Sequence, residues 1–214
     1  MAQSENLPEA VREKNNLFDR FISGSHFITM TLLSGLSNAL GLKDGARFED
    51  SHRAGKASRT ILVLLRYPKQ TADDKGLGHN KHTDIGSLTL LFSEQWGLQV
   101  LSPATNRWQF CMPKRDHAII NVGDSLRFLS GHQLHSCVHR VIPVTQRQDE
   151  HRYSIAYFLR PEDDVKYQDS KGRILTAREW HDNKYEVFRE GHEKQEQDAI
   201  LTGGMEKSEG LVVV

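Results

Sequence analysis

From about Leu17 to Leu42, apolar positions recur at helical spacing. Leu33, Leu36 and Leu40 fall at i, i+3 and i+7, and Phe18, Phe21 and Ile22 extend the stripe. Gly24 weakens the middle of that helix. A polar connector follows, KDGARFEDSHRAGKASR, whose pattern selects neither helix nor loop. From Thr60 the pattern changes to short apolar runs: ILVLLRY, SLTLLF, LQVL, WQFCM, AIINV, SLRFL, HRVIPV and RYSIAYFL. Turn signals separate them, among them DDKGLG, SEQWG, SPATN, PKRD, GD and TQRQDE. Many short strands at this spacing predict a sandwich or barrel and not alternating βα units. Thr176 and Glu179 then make a T-x-x-E capping box that opens a helix with Trp180, Tyr185 and Phe188. Beyond Gly203 the chain reads as loose.

Length and charge narrow the function. The 214 residues suit one domain, or one and a small appendage. Lys+Arg and Asp+Glu both number 28, so the basic excess of a nucleic-acid or membrane-surface binder is missing. Phe21 to Leu42 is broken by Ser23, Gly24, Ser25, His26 and Asn38, a poor membrane span. The start, MAQSENLPEAVREKNN, lacks the apolar run of a signal peptide. Cys111 and Cys137 are the two cysteines, with no CxxC, which excludes a disulfide scaffold or a thiolate zinc knuckle. A reducing, cytoplasmic setting is the simplest expectation.

Histidine is the unusual count: 11, six of them between His79 and His139. On a strand, His82 and Asp84 at i and i+2 share one face, so an imidazole and a carboxylate sit side by side. Two histidines and one carboxylate suit ferrous iron and leave positions open for oxygen chemistry. The third ligand must come from another strand. Alone, H-x-D carries little weight: 11 histidines and 14 aspartates give about 0.7 chance occurrences.

Context raises that weight. HTDIGSLTLLF, WGLQVL, NRWQF, INVGDSLRFLSGHQLHSCVHRVIP and RYSIAYFLRP follow in one order. Over about Ile61 to Pro161 these segments resemble the catalytic core of the isopenicillin-N-synthase-like family of iron(II), 2-oxoglutarate-dependent oxygenases. The resemblance implies a mainly β fold with flanking helices around a double-stranded β-helix, a cupin-like jelly roll. It implies that His82, Asp84 and His139 bind Fe(II). Arg152 and Ser154, in RYS, match the pair that binds the far carboxylate of 2-oxoglutarate, and Tyr67, in RYP, a tyrosine that reaches the cosubstrate. The implied reaction hydroxylates or desaturates a small molecule with O2, releasing succinate and CO2. The implied division is a helical segment and connector over 1–59, the oxygenase core over 60–162, and a C-terminal helix with a loose tail over 163–214.

The sequence departs from the family in places. Ser130-Gly131-His132 stands where many relatives have S-N-G, and Leu65 where many have asparagine. The chain is also short of the N-terminal region that usually covers the barrel. Two alternatives therefore stand beside the oxygenase: a truncated, weakly active or inactive binding module, and an iron oxidase of the same fold that does not use 2-oxoglutarate. An uncovered barrel is expected to expose apolar side chains such as Phe21, Phe27 and Leu33, and to meet a second copy or a partner chain. His79 reads as a loop residue, and His132 and His135 as partly exposed. Asp124 reads as a turn residue, Cys137 as packing, Trp96 and Trp108 as core or rim, and the His181–Asp182 pair as solvated.

Overall fold

The computed structural model describes residues 7–70, 78–145 and 147–205. The first pattern folds as α2 (Asn15–Ala39), preceded by a single turn, α1 (Glu9–Arg12). α2 runs unbroken through Gly24 and stops at Gly41, whose φ of 65° is the left-handed turn that ends a helix. Its buried stripe is Ser25, Thr29, Leu33 and Ser37. The small hydroxyls are satisfied locally: Thr29 Oγ1 donates to the Ser25 carbonyl at 2.9 Å, and Ser37 Oγ to Glu49 at 2.7 Å. The Phe48 amide donates back to Ser37 Oγ, which draws the connector into a 3-10 turn over Phe48–Ser51 and buries Phe48.

Seven of the eight apolar runs become strands. They are β1 (Ile61–Tyr67), β3 (Leu88–Phe92), β4 (Leu98–Ser102), β5 (Arg107–Phe110), β6 (Ile119–Val122), β7 (His139–Val141) and β8 (Arg152–Leu159). The pattern missed β2 (His79–His82) and the hairpin of β9 (Lys166–Gln168) with β10 (Ile174–Thr176). The strands form two antiparallel four-stranded sheets, a major one in the order β1-β8-β3-β6 and a minor one in the order β2-β7-β4-β5. The expected jelly roll with flanking helices is the fold.

SLRFL is not a strand. It lies in α3 (Asp124–Leu129). In a strand Leu126 and Phe128 would share a face; a helix turns them apart. Leu126 enters the core between α2 and the major sheet, with Leu33, Leu88, Leu90, Tyr157 and Leu159. Phe128 enters a second core with Ile85, Tyr167, Ala177 and Trp180. The C-terminal helices are α4 (Ala177–Phe188) and α5 (His192–Gln197). The capping box at Thr176 and Glu179 is present. Among the described residues, no helix is long and apolar enough to cross a membrane.

The expected exposed residues divide. Phe27 is 72% exposed, Phe21 packs edge-on against Phe92 at 5.4 Å, and Leu33 is fully buried. Leu33 is covered because its face of α2 lies on the outer side of the major sheet. Residues 206–214 of the expected loose tail lie outside the described residues, while Leu201 and Thr202 are buried.

His52 ties these layers together. Its Nδ1 meets the Phe48 carbonyl and its Nε2 meets Ser87 Oγ, both at 2.7 Å. Burial pushes this imidazole down to about 4. The unfolded chain therefore binds the extra proton between about pH 6.5 and 4, and stability falls as pH falls through that window. Between pH 7 and 5, His52 should contribute a loss of about 2 kcal/mol. Denaturant unfolding at both pH values, on the parent and His52→Gln, checks this; the variant should show the smaller difference.

Candidate functional site

Cross-strand register builds the site. His82 on β2 lies opposite His139 on β7 in the minor sheet. Thr89 on β3 lies opposite Asn121 on β6 in the major sheet. Directly opposed residues hold their Cβ atoms about 4.5–5.5 Å apart, so each pair acts as a unit. Asp84 sits between the two pairs. It is not on a strand: β2 ends at His82, and Thr83 and Asp84 continue as the chain crosses toward the other sheet.

The Asp84 oxygens have separate partners. Oδ2 accepts from Thr89 Oγ1 at 2.6 Å and from Asn121 Nδ2 at 2.7 Å. Oδ1 faces His82 Nε2 at 3.7 Å and His139 Nε2 at 3.6 Å. Those gaps are shorter than two N/O–metal bonds of about 2.0–2.2 Å laid end to end, so one ion can touch all three atoms. Each imidazole is oriented from behind: His82 Nδ1 is 2.7 Å from the Asn80 carbonyl, and His139 Nδ1 is 3.0 Å from the Cys137 carbonyl. A carbonyl only accepts, so Nδ1 carries the proton and Nε2 presents its lone pair.

Electrostatics agree with that tautomer. Burial, reinforced by neighbouring His139 and His79, holds His82 well below the ordinary histidine range. Burial alone would raise the Asp84 carboxyl, but His139 and the bonds from Asn121 and Thr89 outweigh it and bring it below its usual value. Two imidazole nitrogens and one carboxylate are the donor set that suits iron(II).

The cavity beyond these atoms lies between the sheets. Its polar end is Arg152, Ser154 and Tyr67. Arg152 and Tyr67 are register partners on β8 and β1, with the guanidinium carbon 5.1 Å from the ring centre. Arg152 is buried, and its Nε donates to the Trp96 carbonyl at 3.0 Å. Its Nη1 is buried with no hydrogen-bond partner among the described residues. A buried cation left short of partners is costly unless a ligand supplies them, and a carboxylate does so in bidentate fashion. The remaining walls are largely apolar, including Leu65, Leu98, Val100, Ile119, Val141 and Phe158. All six expected site residues thus line one cavity.

Several other assignments change. His79 is not a loop residue: it lies on β2, lines the cavity and stacks on His82 with ring centres 4.3 Å apart. Asp124 is not a turn residue but a fully buried helix residue paired with Lys184 at 2.6 Å. His181 is buried and stacked on Tyr185, while Asp182 is half-exposed. His132 and His135 are exposed and do not line the cavity. Cys137 does line it, with burial pushing its thiol up to about 11, so it remains a protonated packing group. Thr89 and Asn121 escaped the sequence reading, although both line the cavity.

A family model for the 2OG-Fe(II) oxygenase superfamily matches residues 58–161. The chain is 54% identical over 204 residues to 2-oxoglutarate-dependent dioxygenase iboH of Amanita muscaria, covering 94% of this chain and 98% of that protein. The chain belongs to the 2OG-Fe(II) oxygenase superfamily. Membership at this identity makes it a 2-oxoglutarate-dependent dioxygenase with Fe(II) as its cofactor. It is also 53% identical over 207 residues to oxidoreductase vrtI of Penicillium aethiopicum, covering 96% of this chain but 50% of that one. Among solved structures it superposes on JOX2 in complex with 2OG, Fe and JA, with a TM-score of 0.67 and 25% identity over 82% of this chain and 53% of that chain. The chain thus spans nearly all of one relative and about half of two others.

Gly97 shapes the Arg152 end of the cavity. Its φ is 130°, and an added Cβ would stand 3.1 Å from both Arg152 Nε and the Ile142 carbonyl. Gly97→Ala should cost about 1–3 kcal/mol of stability through backbone strain and crowding. A denaturant midpoint that falls at unchanged slope checks this.

Proposed function

We propose that this chain hydroxylates or desaturates a small molecule, with 2-oxoglutarate consumed and succinate and CO2 released. His82, Asp84 and His139 hold Fe(II), which when bound supplies the oxygen-activating chemistry. Arg152 and Ser154 take the far carboxylate of 2-oxoglutarate, and Tyr67 closes the wall beside them. The observation that carries this reading is the pairing of a three-ligand cluster with a buried, under-partnered guanidinium in one cavity. Under this reading the protein groups have simple tasks. Two Nδ1–H bonds aim the imidazoles, Thr89 and Asn121 aim the carboxylate, and Arg152 fixes one end of the cosubstrate. The apolar walls exclude water and favour a substrate with a largely apolar body.

The 54% identity to a 2-oxoglutarate-dependent dioxygenase weighs against the iron-oxidase alternative. The intact ligand cluster weighs against an inactive module. The free thiols Cys111 and Cys137 support a cytoplasmic setting. The exposed Leu17, Phe27 and Ile28 on α2 support a contact there with a second copy or a partner chain.

Anaerobic titration with Fe(II) and then 2-oxoglutarate tests the core of the reading. The parent should develop the visible charge-transfer band of the chelate. Asp84→Ala should lose Fe(II) binding while its circular dichroism stays that of the parent. Arg152→Leu should keep Fe(II) but need about 10- to 100-fold more 2-oxoglutarate, the value of a charge-assisted bidentate pair. An Arg152→Leu protein that binds 2-oxoglutarate like the parent would remove Arg152 from the site.

A further inference from the structure

Lys184 is the least expected group in the molecule. It sits on α4, and its ammonium is fully buried. A lone buried lysine is strongly disfavoured, so its surroundings must answer for it. Nζ donates to Asp124 Oδ2 at 2.6 Å and to Thr83 Oγ1 at 2.7 Å. Thr83 is the residue between His82 and Asp84. Its hydroxyl in turn donates to Asp124 Oδ2 at 3.0 Å, and its amide donates to the Leu201 carbonyl at 2.8 Å.

Asp124 joins both arms of the metal cluster. Its amide donates to the Asp84 carbonyl at 2.7 Å. Its Oδ1 accepts from Ser136 Oγ at 2.8 Å, three residues before His139, and from Arg127 Nη2 at 3.3 Å. One carboxylate thus grips the turn carrying His82 and Asp84 and the approach to His139. Lys184 is the closer of its two counter-charges.

The rest of the C-terminal pair packs on the same strand. Phe188 sets its ring edge-on to His82 at 5.3 Å. On α5, the His192 carbonyl accepts from Asn80 Nδ2 at 2.9 Å, and the Asn80 carbonyl orients His82. α4 and α5 therefore back the metal cluster from outside the jelly roll.

We propose that Lys184 is a positioning residue for the metal centre, fixing through Thr83 and Asp124 the turn that carries His82 and Asp84. The proposal rests on the reading of those residues as Fe(II) ligands. A purely structural lysine would hold the fold and leave metal affinity to follow stability. A positioning lysine separates the two.

The test uses the full chain under anaerobic conditions, with Fe(II) affinity, the charge-transfer band with 2-oxoglutarate, and metal-free melting all measured. Lys184→Met should weaken Fe(II) binding about 10- to 100-fold, the usual effect of losing a group that orients a ligand. Thr83→Val keeps the ion pair and deletes only the hydroxyl, so it decides the matter if Lys184→Met does not fold. It too should bind Fe(II) at least 10-fold more weakly, with a shifted charge-transfer band. Parent-like Fe(II) affinity in Thr83→Val, or in a folded Lys184→Met protein, would overturn the proposal. A parent that binds no Fe(II) would instead overturn the metal assignment itself.

Discussion

The Asp84 carboxylate is where the two sheets are made to agree. The major sheet supplies Thr89 and Asn121 and saturates Oδ2. The minor sheet supplies His82 and His139, whose Nε2 atoms face Oδ1. If the sheets slid relative to one another, the same carboxylate could not satisfy both. Register in each sheet is set by alternation, because a slip of one residue turns every inward side chain outward. The site is therefore a consequence of strand pairing. Its donors are as fixed as the ladders, which rigid scaffolds provide better than loops do.

Charge is distributed so that little of it is stranded. Burial keeps His82 from carrying a proton at no benefit, and leaves a lone pair in its place. Asp84 retains its charge because its neighbours are donors. Behind it, Asp124 is paired with both Lys184 and Arg127. Arg152 lines the cavity with its Nη1 buried and without a partner among the described residues. A buried polar group left unsatisfied is costly in a fold and useful in a binding site.

Much of this was legible from the sequence, for a physical reason. Strands with one face on a core tend to alternate, and β8 does so over Arg152–Ala156 before Ala156 and Tyr157 are buried in succession. The six expected site residues sit at fixed offsets within such strands or just past their ends. What escaped was whatever depends on distant parts of the chain. α3 is buried on all sides between two cores, so its apolar run carries no period. The β9–β10 hairpin is short and largely exposed. His79 reads as a loop residue because its approach is polar and glycine-rich, and a stack with His82 leaves no mark in sequence. Lys184 looks like any charged residue on an amphipathic helix. Only the fold brings it 60 positions back to Asp124.

The position of Asp84 just past a strand end is what lets one motif serve both sheets. Two residues on one strand would leave their side chains parallel, at the spacing of the pleat, and confined to the minor sheet. Here the chain leaves β2 after His82 and enters the major sheet by β3, with the Ser87 amide donating to the Leu159 carbonyl and the Gly123 amide to the Ser87 carbonyl. That crossing requires backbones to touch. A Cβ on Gly86 would meet the Leu159 carbonyl at 2.5 Å, and a Cβ on Gly123 would collide with the Gly86 carbonyl. Glycine at both positions permits the approach that swings the carboxylate between the sheets. In this chain the geometry of the metal cluster is therefore set as firmly by two residues without side chains as by the three that converge there.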